Sequence, residues 1–460
     1  MESAFIMFLN SFLSLFHVIF HNLFQLPSLN KLWILDWRTF RWYKIPIDQG
    51  AIRATEFRRI SPLSIAANYK DHIAKGLTVL DPGFRNTAVI ESRITHVDGD
   101  RGALQFRQYP IGHLFAHHDY EDVTHLLVWG EIPTPDQKLK FRGQIAKRMI
   151  PHQSVINAIQ AFDPDAPAFL IVAAGLSAWA ASQPLTIPSN VGNTIYEKSS
   201  NAVDDGIYRS LAAFTTVVAL TYCRQQGRPI HQNVDASLSS IENMVLMMGR
   251  VDENGRPDTR VVRAFNKLWI LFADHEMTNS TSAFLNAAST LGDPISALVA
   301  SVASGNGPLH GGAIDIAYKR FKQMHNKEGV RLHLADVRDK KCRLMGVGHR
   351  VYRTVDPRIQ YIKAIMADLE VNTECNPLLE VALEIDRVVA TDPYFTQRRL
   401  CINADLYGSF VYAALGFDPR IFTPFAMTAR CAGALAHWRE SLDQSPCLWR
   451  PKQVFTGKVM

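Results

Sequence analysis

No two of the six cysteines (Cys223, Cys342, Cys375, Cys401, Cys431 and Cys447) stand as a CxxC pair, so neither a zinc site nor a disulfide framework is indicated. A reducing compartment is the simplest inference. The chain also lacks a GxGxxG turn, a P-loop GKT and any internal repeat, which removes dinucleotide and nucleoside-triphosphate readings. Charge of one sign never accumulates: a net charge of +6 is spread over 49 basic and 43 acidic residues, a balance that suits small anionic substrates and gives no ground for a nucleic-acid partner. His117-His118 and His437 have no acid or cysteine at a fixed spacing, so no metal site is expected.

The N-terminus lacks cations. Between Phe5 and Leu26 the chain reads FIMFLNSFLSLFHVIFHNLFQL, with no Lys or Arg before Lys31. A signal peptide needs a basic start and a mitochondrial presequence needs arginines. The stretch remains compatible with a membrane-associating helix, a poor transmembrane anchor, or translated sequence that the mature protein lacks. At the other end, Lys458-Val459-Met460 is at best a weak peroxisomal signal.

What the chain does contain is enough apolar residue to bury a large core: 460 residues at 47% hydrophobic content predict two lobes. Residues 31–47 (KLWILDWRTFRWYKIPI) are aromatic and β-branched with rough alternation and predict one or two strands. Further short strands are expected at 78–80 and 87–97, with a turn at Asp98-Gly99. After Tyr109 the pattern becomes helical. Thr134-Pro135, Asp293-Pro294 and Asn376-Pro377 are cap-plus-proline starts. Apolar residues recur at helical spacing, or all round, in 168–182, 207–223, 261–272, 295–303, 378–390, 406–415 and 422–442. The class is mainly α.

The chemistry-bearing residues cluster in a few stretches. GVGHRVYRTVDPR, from Gly346 to Arg358, places His349 between glycines that let the backbone approach a ligand, with Arg353 and Arg358 as nearby cations. Taken alone it reads equally as a turn with solvated charges. His310 stands in GNGPLHGGA, His275 follows an apolar helical run in ADHEMTNSTS, and Asp405 opens an apolar helix in CINADLYGSF. A carboxylate so placed is either a desolvated, strengthened base or a helix-start acid favoured by the dipole.

In order and approximate spacing, GPLHGGA, GVGHRVYRTVDPR, NAD before an aromatic, FAMTARCAGALAHW and RPKQVFTG resemble citrate synthase, over about residues 50–457. The resemblance implies a two-domain helical fold with a small β-containing N-terminal segment. Its parts would be an apolar extension (1–30), a large helical domain (31–310), a small domain (311–411) and a return to the large domain (412–460). It implies lobe closure, a homodimer, and condensation of oxaloacetate with an acyl-CoA followed by thioester hydrolysis. Coenzyme A enters as part of a substrate, no cofactor or metal is needed, and the setting would be cytoplasmic or organellar (mitochondrion or peroxisome). A catalytically inactive binding protein of the same family is the alternative.

By the same resemblance His310, His349 and Asp405 form the catalytic set. His275, Arg358, Arg430 and Arg450 would bind oxaloacetate, since a dianion calls for forked guanidinium donors, and Arg353 would meet coenzyme A phosphates. Two departures stand out. The family usually has Asn-Val-Asp, two variable residues and Ser-Gly around the base, where this chain has Asn403-Ala404-Asp405-Leu406-Tyr407-Gly408-Ser409. Met277-Thr278 also lies where a single residue before Asn is commoner. Lost volume beside Asp405 would admit an acyl chain longer than acetyl.

Overall fold

The computed structural model describes residues 30–61, 76–444 and 446–458. They fall into two compact units, one holding residues up to Glu91 together with Lys452 onward, the other running from Ser92 to Pro451. The apolar stretch 5–26 and the last two residues lie outside the described residues.

In the first unit the aromatic segment forms an antiparallel hairpin, β1 (Lys31–Asp36) and β2 (Arg41–Pro46), in the register Leu32↔Ile45 and Ile34↔Tyr43. The strands expected at 78–80 and 87–94 do not form. Leu77 N–H instead bonds to Phe57 and Ile60 carbonyls. The Asp81 carboxylate accepts from Arg85 N–H (3.0 Å), Asn86 N–H (2.9 Å) and Thr87 Oγ1 (2.6 Å), and so closes a loop between the two expected segments.

The second unit opens with a three-stranded antiparallel sheet, β3 (Thr95–Asp98), β4 (Ala103–Phe106) and β5 (Tyr109–Pro110). Helices follow. The first group comprises α1 (Ile111–His117), α2 (Tyr120–Trp129), α3 (Pro135–Ala146), α4 (Gln153–Gln160), α5 (Ala168–Ala181), α6 (Ser200–Gln225), α7 (Ser240–Met247), α8 (Thr259–Phe272), α9 (Asn279–Ala288) and α10 (Pro294–Gly305). The second comprises α11 (Ala313–Met324), α12 (Lys327–Arg338), α13 (Ile359–Asp368), α14 (Leu378–Thr391), α15 (Asp405–Ala414) and α16 (Phe422–Asp443). Two of the three cap signals act as read: Thr134 and Gln137 form a reciprocal capping box, and Asp293 accepts from Ser296 N–H, whereas α14 starts one residue later than read, with Pro377, which offers no capping side chain, in the cap position.

Helix α16 is buried on every side from Phe422 to Trp438 and packs against α2, α6, α8, α9 and α10. Helix α15 packs against α11 and α13. An aromatic cluster binds α8, α15 and α16 together: Phe265 meets Phe425 at 4.9 Å and Tyr412 at 5.6 Å between centroids, and Tyr412 meets Phe425 at 5.4 Å. Those three helices carry or adjoin Asp405, Arg430 and His275, so burial of aromatic surface fixes where the polar groups stand.

Candidate active site

The His349 loop is laced to the start of α15. Gly348 N–H donates to Cys401 O at 2.7 Å, Asn403 N–H donates to Gly346 O at 2.9 Å, and Asn403 Nδ2 donates to Gly348 O at 2.7 Å. This approach needs glycine twice over. Gly346 and Gly348 have φ of +79° and +82°, and a Cβ on Gly346 would lie 3.0 Å from Leu406 Cα. Across the loop, a Cβ on Gly99 in the β3–β4 turn would stand 2.3 Å from Val351 O.

Buried Asp356 holds the two segments in register. It grips Arg358 through Nε (2.9 Å) and Nη2 (2.6 Å), and its Oδ2 also accepts from Ala404 N–H (3.1 Å), next to Asp405. Burial opposes its charge, but the Arg358 guanidinium prevails and keeps the carboxyl below its ordinary range. Arg358 is itself buried and lies over the Phe272 ring at 5.6 Å. Asp356 was legible in the sequence only as a turn residue.

Each histidine is held neutral, and His349 and His310 each in one tautomer. His349 Nδ1 accepts from Val351 N–H (3.0 Å) and Tyr352 N–H (3.1 Å), which leaves the proton on Nε2. His310 Nε2 accepts from Ser280 N–H (3.3 Å), a free donor in the first turn of α9, and contacts Ser280 Oγ at 2.7 Å. Its proton therefore sits on Nδ1. Burial, then the Arg358 charge, lowers His349 to about 4, and burial, then Arg430, lowers His310 to about 4. His275, two residues past the C-cap of α8, meets Tyr352 Oη at 3.0 Å and the His349 ring at 5.1 Å between centroids. Burial, with Arg358 and Arg430 nearby, holds it well below the ordinary histidine value.

Asp405 keeps partial solvent contact at the first turn of α15. Burial raises its pKa to about 6, a rise limited by Arg358 and Arg430. Arg430, on α16, is lowered to about 10 by burial, and its Nη1 is a buried donor with no partner among the described residues. Behind it, Asp274 Oδ2 meets His437 Nε2 at 3.2 Å. A Cβ on Gly433 would fall 2.2 Å from Asp274 Oδ1, so only glycine lets α16 lie this close to that carboxylate.

The structure thus brings His275, His349, Asp405, Arg358 and Arg430 into one electrostatic neighbourhood, with His310 coupled to it through Arg430. It does not bring in Arg450 or Arg353, both of which are exposed. Tyr352, Ser280, Asp356 and Asp274 are the partners that reading the sequence missed; adjacency to His275 and Arg358 was the only signal for the two acids.

A family model described as citrate synthase, C-terminal domain, matches residues 83–452. A citrate synthase-like protein, oryE, of Aspergillus oryzae is 41% identical over 434 residues, covering 94% of this chain and 97% of that protein. An alkylcitrate synthase, phiJ, of a fungal species is 34% identical over 430 residues, covering 93% of each. Among solved structures, the Thermoplasma acidophilum citrate synthase in ternary complex with carboxymethyl coenzyme A and oxaloacetate superposes with a TM-score of 0.74 at 27% identity, covering 83% of this chain and 97% of that one. With a family model matched over most of its length and relatives aligned nearly end to end, this chain belongs to the citrate synthase family.

Proposed function

We propose that the protein condenses oxaloacetate with an acyl-CoA, Asp405 acting as general base. The observation that carries this reading is the convergence of a carboxylate of raised pKa, neutral imidazoles with defined donor nitrogens, and two buried guanidinium groups.

Asp405 removes the α-proton of the thioester, and the electron pair passes to the thioester oxygen, where His310 Nδ1–H stabilises the enolate. The α-carbon then bonds to the ketone carbon of oxaloacetate. The ketone oxygen, which becomes an alkoxide, takes the proton of His349 Nε2. Arg358 and Arg430 bind the substrate carboxylates, the unpartnered Arg430 Nη1 being a donor that a carboxylate oxygen would satisfy. Water finally cleaves the thioester, releasing coenzyme A and the tricarboxylate. A dry reaction space requires the small lobe, 311–411, to close on the rest, and we include this two-lobe division and a homodimer in the proposal. Arg353 and Arg450 stand outside the group in one chain and are assigned no step.

The acyl group is proposed to be longer than acetyl. Ala404 is buried directly before the base, where valine is usual in the family, and its side chain is the smaller of the two. Turnover against an acyl-CoA chain-length series tests both levels. Coenzyme A release that requires oxaloacetate supports the condensation. A preference for acetyl-CoA of about tenfold or more, about 1.4 kcal/mol, would sink the longer-chain reading. Absence of thiol release while both ligands bind would sink the enzyme reading itself.

A further inference from the structure

The hairpin β1–β2 carries a surface that the proposed reaction does not use. In its register Lys31, Trp33 and Leu35 share one face with Pro46, Lys44 and Trp42, and no carboxylate stands among them. Trp33 is 55% exposed, Trp42 63%, and Trp37 and Phe40 at the turn 73% and 72%. Four large aromatic side chains are exposed together on one short hairpin, Trp33 and Trp42 on one strand face and Trp37 and Phe40 in contact at the turn, a concentration unlike the scattered apolar residues of an ordinary surface. The opposite face is the inward one, with Ile45 buried and Ile34 and Tyr43 half-buried.

Two further observations say what covers the patch. Phe40 sits at φ +52°, a conformation favoured by glycine and rare for a bulky side chain, and its ring is exposed. The patch is also cationic. Lys44 lies 5.8 Å from the Trp33 centroid with Lys31 close beside it, and residues 31–61 hold seven basic side chains against three acidic. Aromatic rings bordered by lysine and arginine match the headgroup layer of a bilayer, where the ring body meets acyl chain, the indole N–H meets ester oxygen, and the cations meet phosphate. The sequence immediately before the hairpin, 5–26, is the apolar stretch free of Lys and Arg. Two copies of the patch facing each other would oppose like charges.

We propose that this hairpin is a membrane-interface docking surface for an anionic phospholipid bilayer, with Trp33, Trp37, Phe40 and Trp42 seated among the headgroups and Lys31 and Lys44 on phosphates. The test is flotation of the full-length protein with phosphatidylcholine vesicles, with and without phosphatidylserine, and sedimentation of the same samples without lipid. Two variants are compared: one combining Trp33→Ser, Trp37→Ser, Phe40→Gly and Trp42→Ser, the other combining Lys31→Glu and Lys44→Glu. Wild type should float with the anionic vesicles. The aromatic variant should lose about tenfold in partitioning, and the charge reversal should weaken binding to anionic vesicles more than to neutral ones. Equal flotation of wild type and both variants, or no flotation of wild type, overturns the proposal. So does a change confined to the association state, which would make the occupant a second copy of the chain. The charge-reversal pair alters only exposed side chains and keeps the proposal falsifiable if the aromatic variant fails to fold.

Discussion

Two arginines that look alike in sequence differ in what the fold asks of them. Arg358 is locked to buried Asp356, so Arg358→Leu strands a carboxylate in the interior and is expected to cost about 3–5 kcal/mol of stability as well as activity. Arg430 has a buried nitrogen without a partner, so Arg430→Gln should leave the melting temperature nearly unchanged. It should raise KM for oxaloacetate about 100-fold, the loss of a charge-assisted bond worth ~3 kcal/mol. Thermal melts beside steady-state kinetics separate the two, and equal stability losses would contradict the distinction. As the proposed base, Asp405 is expected to set the pH dependence. A base must be ionised, its pKa stands near 6, and kcat/KM is therefore expected to fall about tenfold per pH unit below that value and to level off above it. Asp405→Asn should remove roughly 100- to 10,000-fold of kcat, read in the same assay.

At the scale of elements, the site depends on contacts between segments that carry no reacting group. The β3–β4 turn supports the His349 loop through Gly99, whose carbonyl accepts from Arg353 N–H at 2.9 Å. Gly99→Ala would push a Cβ to within 2.3 Å of the Val351 carbonyl, and backbone cannot yield as a side chain does. The expected result is displacement of the loop, read as a drop in kcat of at least about tenfold with a stability loss of about 1–3 kcal/mol. Gly305→Ala makes a useful contrast, because the atoms nearest its Cβ belong to the adaptable Met427 side chain rather than to backbone, and its effect on kcat should be small. The helices themselves were legible. Segment 168–182 reads as apolar all round and forms α5 from Ala168 to Ala181, and 422–442 forms α16 from Phe422 to Asp443. The strands expected at 78–80 and 87–94 show the opposite case: they do not form, and Asp81 accepts from Arg85 and Asn86 N–H in a loop between them.

For the whole molecule, folding concentrates Arg358, Arg430 and three neutral histidines in one place, an arrangement that favours a bound dianion. Oxaloacetate at about a hundredfold above its Kd should add ~2.7 kcal/mol to stability and raise the melting temperature of wild type, and of Asp405→Asn, while leaving Arg430→Gln much less shifted. A scan with no ligand-dependent shift in wild type would argue against the assigned pocket. The amino-acid order determined by itself the helical class, the capped starts of α3 and α10, and the family resemblance that singled out His310, His349 and Asp405, because periodicity, cap chemistry and motif order are local properties of a chain. Tertiary structure alone decided that Asp356, beside gripping Arg358, bonds to Ala404 48 positions away, that the ring protons of His310 and His349 sit on Nδ1 and Nε2, and that Arg450 stays exposed. Those facts depend on which backbone donors and charges come within 3–4 Å after packing, and no spacing along the chain encodes that distance.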